Sequence, residues 1–468
     1  MALHAADFHT GQAARAVIGQ PSFSAREQGL VPTALSLANG KLYAADAAHR
    51  VLTFDLSRIP NAKEDMSGRQ GSCALCAFSA TAQVNQPVLP GVAGVAVFGD
   101  SVAIVDSTSH RALYWRNASL PNAKAILVGA SELVNPISVA LDEKRLYIGD
   151  AALHRVLVWN VASFSENQAP DAVLGETSDA PTADSMERPV ALASDGVNLF
   201  VADAVERRIL VFTAADEPLV RDAVVNSASL LPGPFGPGTL ITILGAGLSE
   251  SSISAPDDSF DPLPVKLGGV EIVFDGTALP LLSVSPTQLR AQLPFDIENA
   301  SAASLYVRTE HSDGTVSVTN AVGIKLAAAS PGLFAFSGAE PRNGVVLHGS
   351  VSAGEVGTPV TADEPAKPGE VLTLWAAGLG AVDSRSEKPP ITGVRYAGAD
   401  ATVLNSVAAV VAGRMAEVVS AALPHGATGI YEVRVVLPPD LPADSQTELL
   451  IMQDGALSNT IAIPVRSR

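Results

Sequence analysis

The sequence predicts an all-β protein with three domains. It has 468 residues, and at roughly 100 to 200 residues per domain this length predicts about three of them. Hydrophobic residues make up 47% and charged residues 17%, with 38 glycines and 32 prolines, a composition typical of a folded, turn-rich chain. Short runs of alternating apolar residues, broken by Gly and Pro and without a helical period, predict strands.

Charge and hydropathy argue against a nucleic-acid partner and against a membrane span. The chain has 48 Asp and Glu against 30 Lys and Arg, a net charge of -18, which repels a phosphate backbone, so we expect no nucleic-acid partner. The best apolar stretch, from Val371, is short and contains two glycines, so no membrane span is predicted. The N-terminus lacks the basic segment and apolar core of a signal peptide, so an exported form would carry its signal peptide outside this numbering.

An internal repeat organises the first half. Four segments, from Leu42, Val102, Leu146 and Leu199, consist of an alternating strand, an Asp, a short polar turn, an Arg and a second apolar strand, which is the pattern of a β-hairpin. A third strand precedes each hairpin, and fourth strands are suggested at Ala16, Ala125 and Ala172. The Asp residues are 60, 44 and 53 positions apart, close to the roughly 40 to 50 residues of one propeller blade. The repeated pairs are Asp46 with Arg50, Asp106 with Arg111, Asp150 with Arg155, and Asp203 with Arg208.

This pattern resembles NHL repeats, the units of NHL β-propellers, over residues 13–216. The resemblance implies a propeller with four recognisable blades. NHL propellers more commonly have five or six, so the ring has four blades or includes a degenerate one. Because every blade carries the Asp and the Arg, we expect them to be structural: the carboxylate accepts hydrogen bonds from the turn, and the Arg pairs with it.

The second half contains a duplication. The segment PGTLITILGAGL from Pro237 aligns with PGEVLTLWAAGL from Pro368, and similar pairs follow, ending with DGTVSVTNAVGIKL from Asp313 and DGALSNTIAIPV from Asp454. Two immunoglobulin-like β-sandwiches are predicted, at 220–328 and 329–468. With LLSVSPTQLRAQLPFDI from Leu281 and ASPGLFAF from Ala329, the region resembles the IPT/TIG fold, and more closely a duplicated C-terminal domain common in secreted acidobacterial proteins. That resemblance implies secretion and a modular extracellular protein, and no chemistry.

Candidate chemical groups are few. Cys73 and Cys76 form one C-x-x-C, which fits a local disulfide or inert thiols better than half a zinc site or a redox pair. Asp257, Asp258 and Asp261 are a candidate calcium site, although they lack an EF-hand spacing. His49, His110 and His154 recur before the Arg, but on different blades they lie too far apart to share a metal. The innermost strands carry no His, Asp, Glu or Cys, so they offer no general acid, base or ligand.

The sequence therefore favours a binding protein. We expect an extracellular or cell-surface module without catalysis, whose propeller loops engage a protein or a polysaccharide and which needs no cofactor except, at most, calcium. Two alternatives are a metal-dependent propeller hydrolase or lyase and a structural component of a surface assembly. Exposed aromatic residues would favour binding, but the alternating positions of Tyr114, Trp115, Trp159 and Trp375 are more typical of a core.

Overall fold

The computed structural model confirms the all-β prediction. In the part that it describes, the helices are two short 3-10 turns, Leu56–Arg58 and Arg221–Ala223. No helix there is long and apolar enough to cross a membrane. The structure describes residues 8–20, 22–25, 32–38, 41–46, 50–59, 82–84, 93–99, 101–107, 110–116, 126–129, 131–175, 178, 181–216, 218–256, 262–297, 300–349, 357–383 and 389–466.

Four antiparallel sheets of four strands form the β-propeller. From the innermost strand outward they are blade 1 (β2-β3-β4-β5), blade 2 (β6-β7-β8-β9), blade 3 (β10-β11-β12-β13) and blade 4 (β14-β15-β16-β1). The strands are β1 (Ala16–Ile18), β2 (Pro32–Ala38), β3 (Lys41–Asp46), β4 (Arg50–Asp55), β5 (Ala82–Val84), β6 (Gly94–Phe98), β7 (Ser101–Asp106), β8 (Arg111–Trp115), β9 (Ile126–Val128), β10 (Pro136–Leu141), β11 (Arg145–Asp150), β12 (Arg155–Asn160), β13 (Ala172–Leu174), β14 (Pro189–Ser194), β15 (Asn198–Asp203) and β16 (Arg208–Thr213).

The first strand of the propeller belongs to its last blade. Ala16 pairs with Val211 and Ile18 with Ile209, so β1 is the outermost strand of blade 4. The sequence places an apolar strand at Ala16 but gives no sign of its partner. This pairing joins the two ends of the propeller through backbone hydrogen bonds.

Aromatic residues fill the space between blades 2 and 3. Tyr114 and Trp159 are fully buried, and both rings make edge-to-face contacts with Phe164, at centroid distances of 5.7 and 6.4 Å. The indole N–H of Trp159 donates to the carbonyl oxygen of Gln168 at 2.9 Å. Tyr114 and Trp159 are thus core residues, as their alternating positions suggest.

The second half contains 21 strands in the described ranges. We call the two halves of the duplication copy 1 (β17 to β26) and copy 2 (β27 to β37). Copy 1 has a sheet of order β17-β18-β23-β22-β19 and a sheet of order β21-β20-β24-β25, with β26 paired to β24. In copy 2 the strand order is β27-β30-β34-β33-β32-β35-β37-β28, and β29 pairs with β30, β31 with β33 and β36 with β35. The strands are β17 (Val224–Asn226), β18 (Leu240–Leu244), β19 (Ile253–Ser254), β20 (Val270–Phe274), β21 (Thr277–Ala278), β22 (Leu281–Val284), β23 (Gln288–Gln292), β24 (Ala302–Glu310), β25 (Val316–Val318), β26 (Val322–Lys325), β27 (Gly332–Leu333), β28 (Arg342–Asn343), β29 (Val346–His348), β30 (Val371–Ala377), β31 (Ala401–Thr402), β32 (Val407–Val411), β33 (Arg414–Leu423), β34 (Tyr431–Val436), β35 (Asp444–Gln453), β36 (Ala456–Leu457) and β37 (Ile461–Val465).

The two copies share one topology. The order β18-β23-β22 recurs as β30-β34-β33, and the pair β20-β24 recurs as β32-β35. In copy 1, Pro280 separates β21 from β22, whereas in copy 2 the corresponding residues form the single ten-residue strand β33, which runs from one sheet into the next. The interior of copy 2 is one apolar cluster with residues from β30, β34 and β35, among them Leu374, Val433, Leu449 and Ile451.

Contacts divide the chain into two compact units. The first consists of Met1–Arg221, Glu271–Ala278 and Ala300–Ile324, and therefore combines the propeller with one sheet of copy 1. The second consists of Asp222–Val270, Leu279–Asn299 and Lys325–Arg468. The domain boundaries given by the sequence remain predictions.

In each copy one asparagine side chain makes two hydrogen bonds to the backbone of a single residue, an arrangement that we call the asparagine clamp. Asn320 accepts from the backbone N–H of Leu219 at 2.6 Å and donates to its carbonyl oxygen at 2.9 Å. Asn459 makes the same two bonds with Leu333, at 2.8 and 3.0 Å. The neighbouring hydroxyls also correspond, because Thr319 accepts from the N–H of Val307 and Ser458 from that of Ile451, both at 3.0 Å. These bonds fix which residues of the two copies are equivalent.

The turn after β20 makes the stability of the first compact unit depend on pH. Asp275 has a positive φ of 45°, and its carboxylate accepts from the N–H of Ser304 at 2.7 Å. Burial raises the pKa of Asp275 from 3.8 to about 7. The raised pKa disfavours ionisation in the folded state, so the contribution of Asp275 to stability is fully present below pH 4 and is lost as the pH rises toward 7.

We expect Asp275→Asn to remove this pH dependence. Asparagine keeps the acceptor oxygen and tolerates a positive φ. The variant should therefore have the same free energy of unfolding as the original chain at pH 4, and one that is higher by about 2 kcal/mol at pH 8. This value is reduced for the partial exposure of the Asp275 side chain. Urea unfolding at both pH values measures this difference. Asp313→Asn is the control, since hydrogen bonds from Thr315 lower the pKa of Asp313. Loss of the Asp313 carboxylate should therefore destabilise the folded chain at pH 8. Equal pH profiles for Asp275→Asn and the original chain would contradict the prediction.

Candidate functional site

The candidate site is the end of blades 3 and 4 where the repeated Asp, His and Arg residues lie. We call this region the turn surface: it comprises residues 131–135 and 181–188, which lead into the innermost strands, and the hairpin turns 151–154 and 204–207. Each hairpin aligns its repeated pair across the ladder, Asp150 with Arg155 and Asp203 with Arg208. The repeat therefore places the same residue types at the same end of each blade.

The repeated aspartate ties each hairpin to the loop before its own blade. Asp150 is fully buried and accepts from the backbone N–H groups of Val134 at 2.7 Å, Asn135 at 3.0 Å and Ala152 at 3.1 Å. Asp203 likewise accepts from Arg188 at 3.0 Å and from Glu187 at 3.2 Å. These carboxylates satisfy backbone donors at the loop, which is a structural task.

In blades 2 and 3 the histidine before the repeated Arg contacts the next blade. His154 has a φ of 53°, and its Nδ1 lies 2.5 Å from the carbonyl oxygen of Glu187, in the loop before blade 4. His110, with a φ of 52°, makes the same contact with the carbonyl oxygen of Val134. Each loop is thus held twice, by the aspartate of its own blade and by the histidine of the preceding blade. The Nδ1 atoms of His110 and His154 therefore contact two different loops and do not converge on one metal site.

The repeated arginine has two different partners. Arg208 is fully buried beside Asp203, with Nε 3.4 Å from Oδ2, and donates to the carbonyl oxygens of Phe23, Thr182 and Ser185 at 2.7 to 2.9 Å. Arg155 instead donates to the carbonyl oxygen of Glu132 at 2.7 Å and lies 3.6 Å from its carboxylate. Arg111 is exposed on β8. In blades 1 and 2 the ladder also pairs Asp46 with Arg50 and Asp106 with Arg111.

The other predicted sites lie outside the described residues. Cys73, Cys76, His49 and the aspartates Asp257, Asp258 and Asp261 all fall in segments that the structure does not describe. The disulfide and calcium hypotheses therefore remain predictions. In the described ranges, no three His, Cys, Asp or Glu side chains come together so as to hold a metal ion.

A second polar cluster, which the sequence does not suggest, links blades 3 and 4 at the opposite ends of their innermost strands. Asp142 accepts from the Tyr147 hydroxyl at 2.8 Å, from the Ser194 hydroxyl at 2.6 Å and from the N–H groups of Lys144 and Arg145, each at 2.8 Å. Burial, and then the nearby carboxylate, raises the pKa of Tyr147. The Asp142 carboxylate thus accepts four hydrogen bonds, and the Tyr147 hydroxyl stays protonated. Through Ser194 the cluster connects blade 3 to blade 4.

The inner strands of blades 3 and 4 are packed against each other. Ser138 donates to the carbonyl oxygen of Pro189 at 3.0 Å, and a Cβ on the neighbouring Gly149 would lie 2.2 Å from the Ser138 hydroxyl. This close approach explains the glycine at that position. The Ser138 hydroxyl thus helps to hold the two blades together.

The turn surface presents three aliphatic side chains to solvent beside exposed Arg188 and the partly exposed side chains of Glu132 and Glu187. Val134 is 45%, Leu153 38% and Val205 51% exposed. The half-buried Trp115 and Trp375 lie elsewhere. The surface therefore combines a rigid polar framework with exposed apolar tips.

Comparison with known proteins yields similarities of low degree. No family model matches the chain, and no curated protein matches it. Among solved structures, the computationally designed Ika4 protein is 10% identical, covering 40% of this chain and 93% of that one, with a TM-score of 0.19. A nidogen/laminin complex is 13% identical over 40% of this chain and 76% of that one, with a TM-score of 0.19. The Bacteroides ovatus protein SGBP-B of a mixed-linkage glucan utilization locus, in complex with a mixed-linkage heptasaccharide, is 11% identical over 50% of this chain and 43% of that one, with a TM-score of 0.15. Similarities this low carry no argument about function.

Proposed function

We propose that the chain is an extracellular or cell-surface binding module without catalysis, and that the turn surface of its propeller binds a protein partner. One observation carries this proposal: the repeated Asp, His and Arg groups described at this end of blades 3 and 4 bond to backbone groups or to charged side chains, whereas Val134, Leu153 and Val205 are exposed. Groups so engaged are poorly placed to move protons. Exposed aliphatic side chains on a rigid framework suit a protein interface.

The proposal includes a family assignment. We propose that the first half is an NHL-type propeller and the second a duplicated IPT/TIG-like region of a secreted protein. The four copies of the Asp-turn-Arg hairpin and the matching asparagine clamps support these assignments. A polysaccharide partner is the competing form of the binding hypothesis, and a metal-dependent propeller hydrolase or lyase is the competing class. The proposed function itself needs no cofactor.

Binding of fluorescently labelled chain to cells of the organism that produces it tests the proposal. We expect saturable binding that is lowered about 30- to 150-fold by Val134→Ser, Leu153→Ser and Val205→Ser combined, since loss of three partly exposed aliphatic contacts is worth about 2–3 kcal/mol. Protease treatment of the cells should abolish binding, and periodate oxidation of their glycans should not. The matched control is Phe98→Ser with Val197→Ser, because these residues are 46% and 51% exposed and lie at the opposite hairpin ends.

Three outcomes would contradict the proposal. Absence of saturable binding would remove the binding function from the cell surface. Sensitivity to periodate rather than to protease would assign the surface to a polysaccharide. A stoichiometric transition metal in the purified chain would favour the hydrolase or lyase.

A further inference from the structure

The side chain of His348 lies between two acceptor atoms of the segment that leads into β30. We call this segment, residues 357–370, the entry segment. The Nδ1 atom of His348 lies 2.8 Å from a carboxylate oxygen of Glu370, and its Nε2 atom lies 3.0 Å from the backbone carbonyl oxygen of Glu364. His348 is the last residue of β29, and the three residues belong to the second compact unit. The imidazole thus joins β29 to two points of the entry segment.

Each of these two points belongs to a small turn with hydrogen bonds of its own. In the first turn, the N–H of Thr361 donates to the same carbonyl oxygen of Glu364 at 3.0 Å, and the N–H of Glu364 donates to the Thr361 hydroxyl at 3.1 Å. In the second turn, the N–H of Lys367 donates to the other carboxylate oxygen of Glu370 at 2.9 Å, and the N–H of Glu370 donates to the Lys367 carbonyl oxygen at 3.0 Å. His348 therefore contacts an acceptor that closes each turn.

The two contacts of the ring require two ring protons. A neutral imidazole has one N–H donor and one acceptor nitrogen, whereas an imidazolium donates from both nitrogens. The carbonyl oxygen of Glu364 and the carboxylate of Glu370 can only accept. A neutral ring would therefore place a nitrogen lone pair against an oxygen lone pair at one of the two contacts, and the imidazolium satisfies both.

The charge that faces the ring most closely is the carboxylate of Glu370. The two side chains form an ion pair and are 18% and 20% exposed, so water screens their attraction only in part. The other charged residues of the entry segment, Asp363, Glu364 and Lys367, have exposed side chains. On the same face of the sheet, His348 is aligned with Leu372 of β30 and through it with Val435 of β34, which are uncharged and fully buried.

We propose that His348 is a pH-sensitive latch on the entry segment. As an imidazolium it holds both turns at once, and as a neutral ring it can hold only one of them. Histidine changes its charge between about pH 5 and 8. The contribution of the latch is therefore fully present on the acid side of this range and is lost as the pH rises through it. This inference does not rest on the proposed function, which concerns the turn surface of the propeller.

Hydrogen exchange of the full chain at about pH 5 and about pH 8 tests the proposal. Mass spectrometry of peptides from the entry segment gives the exchange rates, and protection factors remove the intrinsic effect of pH on exchange. We expect protection of the entry segment to be about tenfold lower at the higher pH, since one hydrogen bond of a charged donor is lost there. Protection of β34 should change much less, which separates a local opening from a change in global stability.

Two variants identify the titrating group. His348→Gln donates from a single nitrogen at either pH, so the entry segment should have the same low protection at both. His425→Gln is the matched control, because His425 lies in the same compact unit and its Nδ1 contacts a single backbone acceptor, the carbonyl oxygen of Gly398, at 3.0 Å. A neutral ring can make that contact, so this variant should keep the tenfold difference.

Three results would overturn the inference. They are equal protection of the entry segment at the two pH values, a pH difference that His348→Gln retains, and a pH difference that His425→Gln removes. If His348→Gln does not keep the circular dichroism spectrum of the original chain, nitrogen-15 NMR of the His348 ring in the original chain replaces it. We expect both ring nitrogens to carry protons at the lower pH and one of them at the higher pH, and a ring with a single proton at the lower pH would refute the latch.

Discussion

Replacing Arg208 by methionine is expected to lower the free energy of unfolding of the propeller by about 3–5 kcal/mol. The change removes the donors to the carbonyl oxygens of Phe23, Thr182 and Ser185, and it leaves the buried Asp203 carboxylate without its counter-charge. Methionine occupies a similar apolar volume, so the loss comes from the polar groups that remain buried without partners. Urea unfolding followed by tryptophan fluorescence in a Trp375→Phe background reports on Trp115 and Trp159, the tryptophans of the propeller.

Two variants separate the lost ion pair from a general effect at this turn. Arg207→Met changes the adjacent, half-buried arginine and should alter stability by less than about 0.5 kcal/mol. Adding Asp203→Asn to Arg208→Met should recover about 1–2 kcal/mol, because no unpaired charge is then buried. Equal effects of Arg207→Met and Arg208→Met would refute the role given to the buried pair.

Replacing Asn459 by alanine is expected to destabilise copy 2 by about 2–4 kcal/mol, since it leaves both the N–H and the C=O of the buried Leu333 without a partner. Hydrogen exchange of the Leu333 amide measures this locally, and it should accelerate about 100-fold or more. Asn320→Ala should do the same at Leu219 and leave Leu333 unchanged. As the control in copy 2, Asn405→Ala removes an amide that donates to Asp454 and should have little effect. Unchanged protection of Leu333 in Asn459→Ala would show that the clamp does not hold the strand.

The sequence predicts much of this fold because its signals are periodic. Alternation and the recurring Asp, turn and Arg place each hairpin, and the structure pairs Asp150 with Arg155 and Asp203 with Arg208 as the hairpin pattern requires. The internal duplication is likewise visible, since strands, turns and the Asn residues of the clamps recur in the same order. These features depend on local spacing, which a single sequence contains in full.

Other features depend on contacts that local spacing does not encode. Arg155 pairs with Glu132 whereas Arg208 pairs with Asp203, because the loops that enter blades 3 and 4 differ in length and supply different carbonyl groups. The cluster around Asp142 requires Ser194, 52 residues away. Val318 and Leu457 each precede the clamp asparagine of their copy by two positions, yet Val318 is buried and Leu457 is 62% exposed, a difference that local spacing does not encode.

The pairing of β1 with β16 has a consequence for synthesis of the chain. Ala16 and Val211 are about 200 residues apart, so at about 5–20 residues per second the ribosome releases the first strand some 10–40 seconds before its partner exists. During that interval blades 1 to 3 can form, whereas β1 lacks its partner strand until β16 has been synthesised. Pairing of β1 with β16 is therefore the last and least local step in forming the propeller. A chaperone bound to the segment that contains β1 would not delay blades 1 to 3.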